Sequence, residues 1–117
     1  VFLEKVNFAF TSVADISVLA NCPNLKIIRA DNSSIKNLSA ISKLKNIEEL
    51  WLANTGIRTL EICANFENLK KISISNTVVS DLSPLSELSQ LERVYFSNSR
   101  VTELNSLANL TQLNKIA

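Results

Sequence analysis

The sequence of 117 residues contains no histidine and no methionine, and only one glycine, two prolines and two cysteines. Histidine is the most frequent general base and metal ligand in proteins, so its absence argues against an enzyme and against a metal site. The single glycine, Gly56, cannot form the glycine-rich loop that holds phosphates. The residue types therefore predict no catalytic residue and no cofactor.

An excess of charge of one sign is also absent, because 12 basic residues are balanced by 11 acidic ones and the formal net charge is +1. Lysine and glutamate are interleaved along the chain, so no basic patch indicates a nucleic acid or an anionic membrane as a partner. No apolar run approaches the roughly 18 residues that a membrane-spanning helix needs, and the first residues do not resemble a signal peptide. We expect one domain, with no membrane insertion and no nucleic-acid partner.

Apolar residues recur with a period of 22. Position 1 of each repeat is occupied by Leu3, Leu25, Ile47, Leu69, Leu91 and Leu113. Positions 4, 6, 11, 14, 17 and 20 are also apolar throughout; at 46% apolar content, filling these roughly 35 slots by chance has a probability on the order of one in a trillion. The pattern predicts a solenoid whose stacked coils share one core. Its repeats are 3–24, 25–46, 47–68, 69–90 and 91–112, with a partial sixth.

Each repeat combines two spacings. Apolar and outward residues alternate from position 3 to position 7, as in Glu49-Leu50-Trp51-Leu52-Ala53, which is typical of a strand. We expect strands over residues 5–9, 27–31, 49–53, 71–75 and 93–97. From position 11 the apolar spacing becomes three, which indicates a tight 3₁₀-like return, and Ser83-Pro84 is suited to start one such turn.

Two segments resemble known repeat motifs. Residues Leu69-x-x-Ile72-x-Ile74-x-x-Thr77-x-Val79 follow the leucine-rich repeat motif, and Asp81-Leu82-Ser83-Pro84-Leu85 resembles the return segment of internalins. Essentially the whole chain is similar to leucine-rich repeat proteins of the 22-residue class, including bacterial internalins and the repeat-built regulatory subunit of a eukaryotic protein phosphatase. The resemblance implies an α/β fold: a right-handed solenoid with a short parallel sheet on its concave face and 3₁₀ or irregular turns on its convex face.

The chain departs from the motif at position 9. The family usually has a buried asparagine there, whereas this chain has Thr11, Ser33, Thr55, Thr77 and Ser99. A hydroxyl both donates and accepts, so we expect these side chains to bond backbone groups where the chain leaves each strand. Asparagine occupies position 8 in four repeats, and its tolerance of tight backbone geometry suits it to the turn.

The outward strand positions predict where a partner binds. The resemblance implies protein recognition on the concave face, and exposed Trp, Tyr and Arg are frequent anchors of interfaces. The only Trp and the only Tyr of the chain lie in one row, two coils apart, with Ser73 between them, which predicts a notch about 10 Å wide. The predicted partner-binding residues are Ile27, Arg29, Glu49, Trp51, Lys71, Arg93 and Tyr95.

A structural interpretation of the same residues is the alternative. In that interpretation Glu49 pairs with Lys71 across neighbouring strands, and Arg29 covers the Trp51 ring by a cation–π contact.

Cys22 and Cys63 occupy core positions two coils apart, about 10 Å from each other and beyond disulfide reach, so we expect two buried thiols.

These patterns favour a non-catalytic module that binds a protein partner through its concave sheet. Two alternatives stay open: a stiff spacer between flanking domains, or the substrate-selecting part of an enzyme whose catalytic domain lies elsewhere.

The internalin resemblance favours the cell surface or secretion, and the phosphatase-subunit resemblance favours an intracellular scaffold. We expect the chain to belong to a longer protein. Neither end has the polar cap that repeat arrays need, because Val1 and Phe2 adjoin the first coil and Leu113 and Ile116 begin a sixth. We therefore expect one of three outcomes: end-to-end self-association, capping by neighbouring chains, or membership of a longer array.

Overall fold

The computed structural model describes residues 2–117. It forms one six-stranded parallel sheet in which each strand pairs with the next along the chain. The strands are β1 (Lys5–Asn7), β2 (Ile27–Arg29), β3 (Glu49–Trp51), β4 (Lys71–Ser73), β5 (Arg93–Tyr95) and β6 (Lys115–Ile116). Five 3₁₀ helices alternate with them: η1 (Ser17–Asn21), η2 (Ser39–Ile41), η3 (Glu61–Asn65), η4 (Ser83–Leu85) and η5 (Asn105–Leu107). The sheet forms the concave face of the solenoid and the 3₁₀ helices lie on its convex face, which confirms the expected architecture.

The strands are in register at every step, so residues of the same repeat position are neighbours. Glu49 lies opposite Lys71, for example, and Arg93 lies opposite Lys115. Each position of the repeat therefore forms a column that runs along the solenoid, with steps of about 4.8 Å.

The predicted strand bounds were two residues too long at the carboxyl end. Backbone hydrogen bonds between coils do continue past the strands, since the N–H of Asn54 donates to the carbonyl of Ser75 at 2.8 Å. Position 8 then adopts a left-handed backbone conformation, with φ between 54° and 57° at its asparagines. This turn ends the extended geometry, and β1 to β5 finish at position 5.

Asparagine and hydroxyl side chains form different hydrogen bonds at the turn that follows each strand. Thr55 and Thr77 donate to the carbonyl of position 6 in their own coil, each at 2.7 Å. The bonds from coil to coil lie instead in the asparagine column, where Asn98 Nδ2 donates to Asn76 Oδ1 at 2.6 Å and Asn54 donates to Asn32. Four of the five hydroxyls thus bond backbone groups as expected, while the asparagines form the ladder between coils. Ser33 is the exception, because its Oγ is buried and has no hydrogen-bond partner within residues 2–117.

At η1 to η4, the side chain of position 13 accepts a hydrogen bond from the backbone N–H two residues later, at the start of the 3₁₀ helix. Asp81 Oδ1 accepts from the N–H of Ser83 at 2.8 Å, and Pro84 stands at the start of η4. This backbone bond, together with the Ser83 side chain, lowers the pKa of Asp81 from its ordinary value. Asp15 and Ser17 repeat the arrangement at η1.

The core consists of the predicted apolar columns, and it is tightest in the middle coils. Ile47, Leu50 and Leu69 are fully buried. Cys22 and Cys63 are buried free thiols, which confirms their predicted state. The first and last coils are more open: Phe2 is 89% exposed, and the apolar positions Val13, Leu104 and Ile116 are exposed as well. Val1 lies outside the described residues.

Candidate recognition surface on the concave sheet

Trp51 and Tyr95 form a stacked pair at the centre of the concave face. Their ring centroids lie 5.8 Å apart and their planes are inclined by 29°. The two residues belong to β3 and β5, so their backbones are two strands apart, and each side chain leans toward the other across β4. The prediction of a notch about 10 Å wide is therefore wrong, because the two rings stack on each other above β4 and fill the space between them.

Ser73 lies on β4, between the two strands that carry the rings, and is only 5% exposed although it occupies an outward position. Its small side chain leaves the space that the rings fill. The stacking of Trp51 on Tyr95 depends on the small size of Ser73, because a large side chain at position 73 would separate the two rings.

Two cations extend the aromatic pair along the solenoid. The guanidinium carbon of Arg29 lies 5.0 Å from the centroid of the Trp51 ring, and Lys115 Nζ lies 5.7 Å from that of Tyr95. Because Arg29 is on the strand before Trp51 and Lys115 is on the strand after Tyr95, the cations flank the pair on opposite sides. We call Arg29, Trp51, Tyr95 and Lys115 the aromatic platform.

Glu49 orients the indole of Trp51. Both residues are on β3, two positions apart and therefore on one face, and Trp51 Nε1 donates to Glu49 Oε1 at 3.0 Å. The expected pair between Glu49 and Lys71 is not among the ion pairs of residues 2–117, because this carboxylate is turned toward the indole. The predicted cation–π contact between Arg29 and Trp51 is confirmed.

The structure brings together four of the seven predicted residues: Arg29 and Glu49 contact Trp51, and Trp51 stacks on Tyr95. The other three lie beside the platform in the column of position 3. Ile27 is opposite Glu49, and Lys71 is opposite both Glu49 and Arg93.

Two features were missed by reasoning from the sequence. Lys115 joins the platform, and its place at position 3 of the sixth repeat was the available signal. Position 2 is a column of alternating charge, comprising Glu4, Lys26, Glu48, Lys70 and Glu92. Lys26 binds Glu4 at 3.1 Å and Lys70 binds Glu48 at 3.5 Å, and Glu4 followed by Glu48 raises the pKa of Lys26.

Other kinds of site have little support among residues 2–117. No group of three or more His, Cys, Asp or Glu side chains in this range has a metal-binding arrangement. No helix in the same range has the length and hydropathy required to cross a bilayer. Burial raises the pKa of the Cys63 thiol to about 12, which keeps it protonated and unreactive.

Comparison with known proteins agrees with the fold. The model of a family described as leucine-rich repeats in two copies matches residues 45–87. Internalin C2 from Listeria monocytogenes superposes with a TM-score of 0.84 over 98% of this chain, at 20% sequence identity. The chain has the leucine-rich repeat fold.

Two other solved structures are similar. A leucine-rich repeat protein from Leptospira interrogans has a TM-score of 0.86 and 21% identity over 98% of this chain. The functional domain of InlJ from Listeria monocytogenes, which includes a cysteine ladder, has a TM-score of 0.82 and 20% identity over 97%. This leucine-rich repeat chain spans 61%, 32% and 24% of internalin C2, the Leptospira protein and InlJ, respectively. No curated protein sequence matches it significantly.

Proposed function

We propose that this leucine-rich repeat chain is a non-catalytic recognition module that binds a protein partner through its concave sheet. Repeat solenoids commonly use their extended concave surface for binding. The observation that carries the proposal is the stacked pair of Trp51 and Tyr95, which stands half-buried at the centre of that surface.

The platform is suited to bind a partner with little loss of entropy. Arg29, Glu49 and Lys115 hold the two rings before any partner arrives, so few side-chain rotamers remain to be fixed on binding. Large aromatic side chains in a fixed orientation are the typical anchors of protein interfaces. Because the rings close the expected notch, the partner is expected to lie across the platform rather than insert a side chain between them.

The test is an affinity capture from a whole-cell lysate and from a surface-protein fraction. The native chain is compared with a Trp51→Ala, Tyr95→Ala variant whose fold is checked by circular dichroism. We expect a protein that is retained by the native chain and lost by the variant, with each single alanine weakening binding by at least about 1 kcal/mol.

A matched control removes exposed apolar side chains away from the concave face. Val18 is 67% exposed in η1 and Val78 is 37% exposed after β4, so Val18→Ala, Val78→Ala is a suitable double variant. It should retain the partner. If the concave variant also retains the partner, or if the native chain captures nothing, the recognition proposal fails and the spacer interpretation is favoured.

A further inference from the structure

On the concave face, the charged residues at position 3 of the repeat follow a different order from those at position 2, the adjacent column. At position 2, basic and acidic side chains alternate from Glu4 to Glu92, so neighbouring charges in that column have opposite signs. At position 3, Lys71, Arg93 and Lys115 follow one another on three paired strands. Like charges directly opposite one another destabilise a sheet, so this cluster is unfavourable in the isolated chain.

None of these three cations forms an ion pair within residues 2–117, where the two ion pairs present both lie at position 2. The two carboxylates of the concave columns already accept hydrogen bonds. Glu49 accepts from the Trp51 indole, and Asp31 accepts from the backbone N–H of Ala53 at 2.8 Å. Within residues 2–117, no carboxylate therefore pairs with Lys71, Arg93 or Lys115, which are here called the basic column.

Charge is also unequal between the two sides of the molecule. Concave positions 3, 5 and 7 carry five basic residues, Lys5, Arg29, Lys71, Arg93 and Lys115, and two acidic ones, Asp31 and Glu49, so their net charge is +3. The whole chain carries +1, which leaves seven basic and nine acidic residues for the remaining surface. A face of opposite sign to its surroundings selects a partner by electrostatic complementarity.

We infer that the partner binds this face through an acidic protein segment, whose carboxylates lie on the basic column while its chain covers the aromatic platform. The inference rests on the proposed recognition function. The column extends over two strand spacings, about 10 Å, so it matches two or three carboxylates on one short segment. Arg93 supplies a planar guanidinium that suits bidentate carboxylate binding.

A nucleic acid fits this face less well than an acidic segment. Bases bind proteins by stacking on free aromatic faces. Here the Trp51 and Tyr95 rings stack on each other, and Arg29 and Lys115 flank the pair. A long polyanion would also extend beyond the basic column onto a surface where acidic residues outnumber basic ones.

Trp51 is the only tryptophan of the chain, so its fluorescence reports directly on this site. The probes are capped hexaglutamate, hexaglutamine as the neutral match, and a six-nucleotide thymidine strand, each titrated into the full chain at low ionic strength. We expect hexaglutamate to change the Trp51 emission saturably, with a Kd at least tenfold lower than that of hexaglutamine. The change should weaken as salt is added, because salt screens exposed charges.

The variant Lys71→Gln, Arg93→Gln, Lys115→Gln should lose at least tenfold of the affinity for hexaglutamate. The control Lys36→Gln, Lys43→Gln, Lys45→Gln removes the same net charge from exposed side chains outside the concave columns and should bind as the native chain does. Equal binding of the two peptides, tighter binding of the thymidine strand, or equal losses in both variants would overturn the inference.

The same two variants, used in the affinity capture, separate the two proposals. If the captured protein is lost with Trp51→Ala, Tyr95→Ala but is retained by the basic-column variant, recognition stands and the acidic-segment inference fails. If hexaglutamate binds but no protein is retained, the site has the inferred chemistry and the recognition proposal fails.

Discussion

At the scale of the residue, position 8 shows how one backbone angle selects a side chain. A left-handed conformation costs most residues roughly 1–2 kcal/mol, and asparagine is one of the few that adopt it readily. Asn32, Asn54, Asn76 and Asn98 all have φ near +55°. The first coil has the same angle, φ 59°, but its residue is Phe10, whose ring is 80% exposed.

Replacing Phe10 with asparagine is expected to raise the free energy of unfolding by about 1 kcal/mol, because the left-handed strain is relieved while no buried contact is lost. Asn76→Ala should lower it by about 1–2 kcal/mol, since it introduces that strain and removes the acceptor of the Asn98 bond. Urea denaturation measures both changes. No gain from Phe10→Asn would show that the aromatic ring stabilises the first coil in some other way.

The buried thiol of Cys63 gives a pH dependence with a defined sign. Its pKa is raised by burial from 9.0 to about 12, so between these values the unfolded chain loses this proton while the folded chain keeps it. The free energy of unfolding should therefore fall as the pH rises above 9.

Urea denaturation across this pH range should show a smaller fall for Cys63→Val, which places another apolar side chain in the same slot. In the native state, a thiol reagent should label Cys63 only at the rate of unfolding. An identical pH profile for the native chain and Cys63→Val, or rapid native labelling, would contradict this account.

At the scale of the element, the columns could be predicted from the sequence because a strict 22-residue period leaves one consistent register. Ile28, Leu50 and Ile72 had to lie in one buried column once the repeats were aligned, and the structure pairs them directly. The strand ends were harder to predict from the sequence. Backbone hydrogen bonds between coils continue past each strand, while the left-handed turn at position 8 ends the extended conformation nearby.

The closed aromatic pair could not be predicted by the same reasoning. Repeat positions fix where Trp51 and Tyr95 leave the backbone, about 10 Å apart, but not the direction in which long side chains lean. The small Ser73 between them and the cations on either side decide that direction. The same holds for Lys115, because its position in the partial sixth repeat does not fix that its long side chain reaches back to Tyr95 on β5.

The alternating column at position 2 predicts an effect of charge order. Glu48→Lys would place three lysines in succession, at Lys26, residue 48 and Lys70, and so replace attraction by repulsion on both sides. We expect a lower free energy of unfolding than for the control Glu48→Gln, with a difference that shrinks near about 1 M salt. A difference unaffected by salt would indicate a cause other than charge order.

At the scale of the whole molecule, the solenoid measures 37 × 24 × 19 Å and presents two kinds of surface. The concave sheet carries the aromatic platform and the basic column, while the end surfaces expose apolar residues such as Phe2 and Ile116. Self-association through these ends stays a prediction for the 117-residue chain expressed alone. Light scattering should detect an increase in mass with concentration, and a monodisperse monomer at high concentration would contradict it.

The central claim is that the concave face is the surface that contacts a protein partner. The most direct measurement places a photoreactive amino acid at Ser97, an exposed concave position two residues after Tyr95, and, as a control, at Ala64, an exposed residue of η3 on the convex face. After irradiation in cell extract and surface fractions, cross-linked products are resolved by mass spectrometry. The account predicts a discrete protein adduct from position 97 that is absent from position 64 and lost in the Trp51→Ala, Tyr95→Ala background. Adducts from position 64 alone, or an adduct from position 97 that survives the double substitution, would contradict it.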